Sequence, residues 1–347
     1  MRNLIAVTLA LIYMQAFAGP YLDKAIMSRF AEATGYAGSG ADGAVTIVGP
    51  TNGPQNPYFT DNTRTYLTAA AAAGATTLTV ASSSGFAANN VVLVISMLGS
   101  TAGIYEFRTV SSIPSGTSIA LSAALTNAYP IYSAGASVTQ VLRVPQFTTV
   151  TLNSGGFMSA RAFNGQTGGV VAFLASSGVT INYNATYSGR ISAVGKGYQA
   201  GGTNAAGSGP GGGGVGIGGS NTSPGSGPVR LIMGSGGGGG SAGAGGVGGG
   251  IILFKTAGTL TVDGFILADG GAAPASTNGG GGSGGTLAIS ADTITRTSTC
   301  GTVTASGGAA SGTGTTGGGG RIFWGFKTSN ACTNPTPNAG YYRYIVK

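Results

Sequence analysis

Apolar and polar residues alternate with period two in short runs along this chain, and the runs end at Gly, Pro, Asn or Ser, the pattern of half-buried strands. In TLTVDGFILADGG (259–271) the interior positions are Leu260, Val262, Phe265 or Ile266, and Ala268, with Thr259, Thr261 and Asp263 outward. The pattern then repeats. GGGIILFKTAGTLTVDGFILADGG (248–271) is echoed by GGTLAISADTITRTSTCGTVTASGG (284–308), by an earlier relative at 168–197, by a half copy at 148–165 and by GGRIFWGFKT (319–328). Each unit has two glycines, an apolar strand, a turn, a Thr-rich strand and then Gly-x-Ile-x-Ala or a close variant. Gly249, Gly284 and Gly319 stand 35 residues apart, a period that signals stacked repeats. Three short strands per period predict a parallel β-solenoid, whose coils are unstable alone but bury a continuous core together. The glycine before each x-Ile-x-Ala is expected to turn the corner through positive φ, which glycine adopts freely.

Between the third strand of one unit and the Gly-Gly of the next lie nearly bare glycine segments: 197–247, 270–283 and 307–316. Insertions at one corner of successive repeats emerge on one face and can lie side by side. Without side chains they can pack as polyglycine II-like strands bonded backbone to backbone. The other reading is flexible loops decorating the solenoid. Upstream, 66–146 has ordinary side-chain density and reads as a small β-barrel or sandwich module, with turns at Asn89-Asn90 and Pro114-Ser115-Gly116. The fold class is therefore all-β: an N-terminal arm over 19–65, with a short helix candidate at Tyr21–Ala33, the module over 66–146, and a Gly-rich solenoid over 147–347.

The first 18 residues, one Arg followed by an apolar run that closes on Ala16-Phe17-Ala18, predict a secretory signal peptide. A membrane anchor would need a longer run. The mature protein is thus expected to be secreted, at the cell surface, without a membrane span. In an exported chain Cys300 and Cys332 suggest a disulfide, the alternative being two buried thiols. Glycine supplies 68 of 347 residues, and 42% of residues are hydrophobic against 7% charged, too apolar for a disordered linker. The formal net charge is +8, but the basic residues are scattered singly, which argues against nucleic acid as a partner.

The sequence has no His, so His-dependent nucleophilic triads and His–metal sites are excluded. Of eight acids, Asp263, Asp269 and Asp292 fall in the solenoid, where stacking would have to bring Asp263 beside Asp292 for a carboxylate pair or a calcium site. The Asp-Gly settings of Asp263 and Asp269 read as turns instead. No cofactor is implied, and the glycine runs lack the Gly-Lys-Ser/Thr ending of a phosphate loop. Near the C-terminus, Tyr341, Tyr342, Arg343 and Tyr344 are the candidate assembly or ligand surface, or else a closing strand.

TTLTVASSSGFAANNVVLVI, YEFRTVSS, SIALSAALTNAY and QVLRVPQFTTVTL resemble the β-module of secreted bacterial surface proteins and adhesins. The glycine blocks are similar to the polyglycine II domains of phage receptor-binding adhesins, from which the chain departs in having a signal peptide. The resemblance covers about residues 40–325 and implies an extracellular structural or adhesive role, with no catalytic residues carried over. Four readings follow: a non-enzymatic, self-assembling subunit of a surface fibre or layer; an adhesin for glycans or a host surface; an ice-binding protein using Thr rows; and a polysaccharide-active enzyme.

Overall fold

The computed structural model describes residues 38–50, 56–220, 230–275, 277–295, 301–326, 328–330 and 341–346, the last two as backbone. The signal peptide, the helix candidate and both cysteines lie outside the described residues. What is described is all-β, without a helix. Two strands, β1 (Val45–Ile47) and β2 (Tyr58–Phe59), precede an antiparallel sheet of β3 (Arg64–Tyr66), β4 (Thr77–Thr79), β5 (Val91–Leu98), β6 (Tyr105–Ser115), β7 (Ser118–Leu121) and β8 (Val138–Val144). The sheet order is β3-β8-β5-β6-β7-β4. It curls far enough that Leu67, beyond β3, bridges Val80, beyond β4. Asn89 takes φ 67° in the turn before β5, as its Asn-Asn pair predicts. The strand β6 runs on through Pro114, so its hairpin turns at Gly116 and Thr117.

Every pairing in the remaining sheets is parallel, along three ladders. The first joins Gln146 and Phe147 of β9 (Gln146–Leu152) to β11 (Val170–Ile181), β13 (Ile251–Thr256), β16 (Thr286–Ser290), β19 (Arg321–Phe326) and β21 (Tyr341–Val346). The second runs from β1 through the latter parts of β9 and β11 to β14 (Thr259–Val262), β17 (Thr293–Thr295) and β20 (Thr328–Asn330). The third runs β2, β10 (Phe157–Ser159), β12 (Arg190–Ser192), β15 (Phe265–Leu267), β18 (Thr302–Thr304). The units at 248–271 and 284–308 thus place one strand on each ladder, and in the unit at 168–197 the long β11 serves the first and second ladders together. In addition β1 and β2, within the segment read as an arm, form the first rungs of the second and third ladders.

One apolar core lies between the ladders, built from in-register columns. Phe173, Phe254, Ile289 and Trp324 form one, with Phe173 and Phe254 stacked at 4.7 Å between centroids. The second ladder contributes Val150, Val179, Leu260 and Ile294, and the third Met158, Ile191, Ile266 and Val303. Alternation therefore located the interior, with Ile266 rather than Phe265 pointing in. It misplaced Asp263, which is buried at 8% exposure. The unbroken apolar runs VVAFLA (170–175) and IILF (251–254) have a separate cause: alternate residues face a second core. There Val170, Ala172, Leu174, Ile251 and Leu253 meet Leu93, Ile95 and Met97 of β5, so the antiparallel sheet lies across the outside of the first ladder. Both faces of β5 are buried, since Val92 and Val94 fill the interior of the curled sheet.

The corner glycines before x-Ile-x-Ala correct an expectation. Gly189, Gly264 and Gly301 do not have positive φ. They are glycine because each stacks on the previous unit: a Cβ on Gly264 would overlap the carbonyl oxygen of Gly189, and one on Gly301 that of Gly264.

The glycine segments are hydrogen-bonded in three dimensions. Segment 231–240 bonds to 197–202 (Tyr198 N to Gly234 O, 3.1 Å), to 205–219 (Gly238 N to Ile217 O, 2.9 Å), to 243–250 (Gly237 N to Gly246 O, 2.9 Å) and to 279–286 (Gly280 N to Gly238 O, 2.9 Å). Segment 279–286 reaches further, to Gly271, Gly308 and Gly318. Apart from small hydroxyls such as Ser235 and Ser283, side chains have little room in this lattice. A Cβ on Gly238, Gly248, Gly280 or Gly285 would fall far inside van der Waals contact of a neighbouring carbonyl oxygen.

Two substitutions test this packing. Gly248→Ala, whose methyl meets Gly234, is expected to cost at least about 2 kcal/mol in denaturant unfolding, the scale of overpacking. Gly202→Ala, with open space around it, should change stability by less than about 0.5 kcal/mol. Equal effects at the two positions would contradict the packing.

Candidate functional site

The turns that join the glycine segments gather at one end of the bundle. Asn204 donates its N–H to Gly240 O (3.0 Å), and Gly216 donates to Gly239 O (3.1 Å). Thr315 N bonds to Gly216 O (3.0 Å), and Thr315 Oγ1 accepts from Gly218 N (2.7 Å). Asn278 ties two further turns together: its Nδ2 donates to Ser241 Oγ (3.3 Å) and its Oδ1 accepts from Thr313 N (3.3 Å). These bonds hold the turns around 204, 216, 241, 278 and 313 as one surface.

Each residue type has a local reason. Asn204 (φ 52°) and Asn278 (φ 53°) occupy the left-handed region, which Asn tolerates because its short side chain bonds locally. Between Gly214 and Gly218, Val215 and Ile217 stand 52% and 54% exposed, with Gly216 at φ 69° between them. Two aliphatic side chains left this exposed at a turn make no packing contribution to the bundle's interior and are candidate contact groups. No residue of these five turns is ionisable, so the surface can act through dispersion contacts and neutral hydrogen bonds.

The base of the bundle is braced by the antiparallel sheet. Leu231 N bonds to Gly103 O (3.0 Å), and Arg230 donates to Ser100 O (2.6 Å) and Ala102 O (3.2 Å), in the loop between β5 and β6. Tyr198, fully buried, packs edge-on against Phe163 and donates its hydroxyl to Met97 O. Burial holds that phenol well above the usual tyrosine pKa.

The other residues singled out from sequence lie elsewhere. Tyr341, Tyr342, Arg343 and Tyr344 are on β21, paired with Arg321, Ile322, Phe323 and Trp324, at the last rung of the first ladder. Thr259 and Thr261 stand in two outward rows of the second ladder, Thr259 beside Thr293, and Thr46, Thr151, Thr180, Thr261 and Thr295 in register. The proposed meeting of Asp263 and Asp292 does not occur. Asp292 N bonds to Gly258 O, and Asp263 lies five residues further along that neighbouring strand, roughly 16 Å at about 3.3 Å per residue. Asp269 is occupied in a turn, accepting from Thr304 Oγ1 (2.8 Å) and Ser306 N (2.6 Å). Among the described residues no cluster of three or more His, Cys, Asp or Glu could hold a metal. The tip itself escaped sequence reasoning, although isolated Val and Ile inside a glycine run were a usable signal.

No family model and no curated protein matches the chain. Among solved structures, the Gp54 tailspike of Acinetobacter baumannii bacteriophage AP22, in complex with A. baumannii capsular saccharide, aligns at 10% identity and a TM-score of 0.21. The alignment covers 88% of this chain and 68% of the tailspike, and a similarity of that size carries no argument about function.

Replacing Val215 and Ile217 by Ser should leave unfolding stability within about 0.5 kcal/mol of the parent, because exposed side chains add little to folding. A large loss on denaturation would show that they are packing groups, and would end their candidacy as contact groups.

Proposed function

We propose that this chain is a non-enzymatic, exported adhesin. In this reading the three ladders are the faces of a parallel β-solenoid, and the glycine segments are a polyglycine II-like bundle mounted on it. The bundle holds its turn surface away from the body, to contact glycans or another component of an extracellular surface. The carrying observation is that five separate turns converge into one uncharged tip from which Val215 and Ile217 project. The secretory pattern of the first 18 residues supports an extracellular site of action.

A second reading, the self-assembling subunit of a fibre or layer, has its own observation in favour. Among the described residues the ladders end at β21, β20 and β18 on one side and at β9, β1 and β2 on the other, all ladder strands running the same way. A second copy added head to tail would continue each ladder without reversal, the heterologous contact that generates filaments.

The adhesin reading is tested by surface and glycan-array binding of mature protein beside the double variant Val215→Ser/Ile217→Ser. The expected result is at least about a tenfold loss of binding with folding intact, the size of losing one apolar hot spot. Undiminished binding by the variant would sink it. Light scattering with negative-stain electron microscopy separates the second reading: concentration-dependent fibres support it, and compact single particles at every concentration remove it.

A further inference from the structure

The outward face of the third ladder carries an arrangement that the tip reading leaves unused. Phe157, Arg190 and Phe265 occupy one outward row on three consecutive strands, β10, β12 and β15, so the cation stands between two rings. The Arg190 guanidinium lies over the Phe157 ring, with its central carbon 4.2 Å from the centroid. All three side chains are half-buried.

Arg190 differs from the other described arginines that have carboxylate partners. Arg64 faces Asp61, Arg108 faces Glu106 and Arg143 faces Asp42. No carboxylate among the described residues pairs with Arg190, and its Nε is buried without a hydrogen-bond partner. Burial also moves its pKa below the usual arginine value, without a compensating acid. Next to this row, Arg161 lies over Phe59 at 4.3 Å, a second stacked guanidinium on the same ladder. The buried Nε is out of reach of a ligand, but Nη1 and Nη2, which are not buried and have no hydrogen-bond partner among the described residues, remain open to an acceptor from outside the chain.

We propose that this face binds an acidic polysaccharide, a polymer of pyranose rings bearing carboxylates. The planar fork of Arg190 takes a uronate carboxylate through two parallel N–H···O bonds, the geometry that guanidinium and carboxylate share. The C–H faces of neighbouring sugar rings lie on Phe157 and Phe265. The sequence ring, cation, ring across adjacent strands suits a ligand that is itself a chain of rings carrying anions, and that separates it from an acidic peptide.

Mature protein is passed over immobilised polygalacturonate, poly-L-glutamate and neutral dextran, and affinities are measured for the parent, Arg190→Gln and Arg190→Lys. Polygalacturonate is expected to bind best, Arg190→Gln to weaken it by about tenfold or more, and Arg190→Lys, which keeps the charge but not the fork, to weaken it severalfold. The Val215→Ser/Ile217→Ser variant should bind polygalacturonate like the parent, so failure at the tip and failure here are distinguishable. The proposal is overturned if the parent ignores polygalacturonate, if both Arg190 variants bind like the parent, or if poly-L-glutamate binds as well.

Discussion

A buried backbone N–H must find an acceptor, and in segments made almost wholly of glycine nearly all the acceptors are other backbones, with a few hydroxyls such as Ser235 and Ser283 beside them. That requirement organises the distal half of the molecule. It forces the glycine segments into contact close enough that no Cβ fits between them. The same exclusion explains the corner glycines, where Gly264 sits over Gly189 and Gly301 over Gly264. In both places glycine is used for its missing side chain, whereas at turns such as that at Gly216 it is used for its freedom in φ.

Magnitudes show why such a bundle needs a scaffold. Ordering a residue's backbone costs about 1–2 kcal/mol, most for glycine, while a backbone hydrogen bond returns a net of about 0.5–1.5 kcal/mol. Glycine segments alone are therefore at a net deficit. The ladders remove much of the cost by fixing the ends of each insert: β12 and β13 hold the first, β15 and β16 the second, β18 and β19 the third. The columns of Phe, Ile, Val and Leu inside the ladders supply the stability that the bundle lacks. The curled sheet adds a brace through Met97, Gly103 and Arg230. Sequence order, core and display surface are in this way one chain of dependence.

Much of this was legible in the sequence because the repeat carries its register in glycine pairs 35 residues apart. The alternation located Leu260, Val262 and Ala268 correctly, since one face of each strand is core. Legibility failed where a second environment intervenes. Phe265 is as apolar as Ile266, yet it stands outward beside Arg190, and alternation across a corner cannot choose between neighbours. The first rungs β1 and β2 were hidden because the whole antiparallel sheet is inserted between them and their neighbours in the stack, β9 for β1 and β10 for β2. The tip was invisible for a different reason: its turns are far apart in sequence and are joined partly by backbone bonds, which leave no residue-type signature, and partly by single Asn and Thr side chains that do not stand out in the sequence. Val215 and Ile217 were the exposed trace of it.

The central claim is that the glycine segments are a hydrogen-bonded solid rather than loops. Amide hydrogen exchange over 234–240 and 279–285 in the intact mature protein tests it most directly, because opening free energy is read residue by residue. Protection comparable to that of β11 and β13 is the predicted result. Exchange at the rate of an unstructured chain in those segments, with the ladder strands still protected, would contradict it.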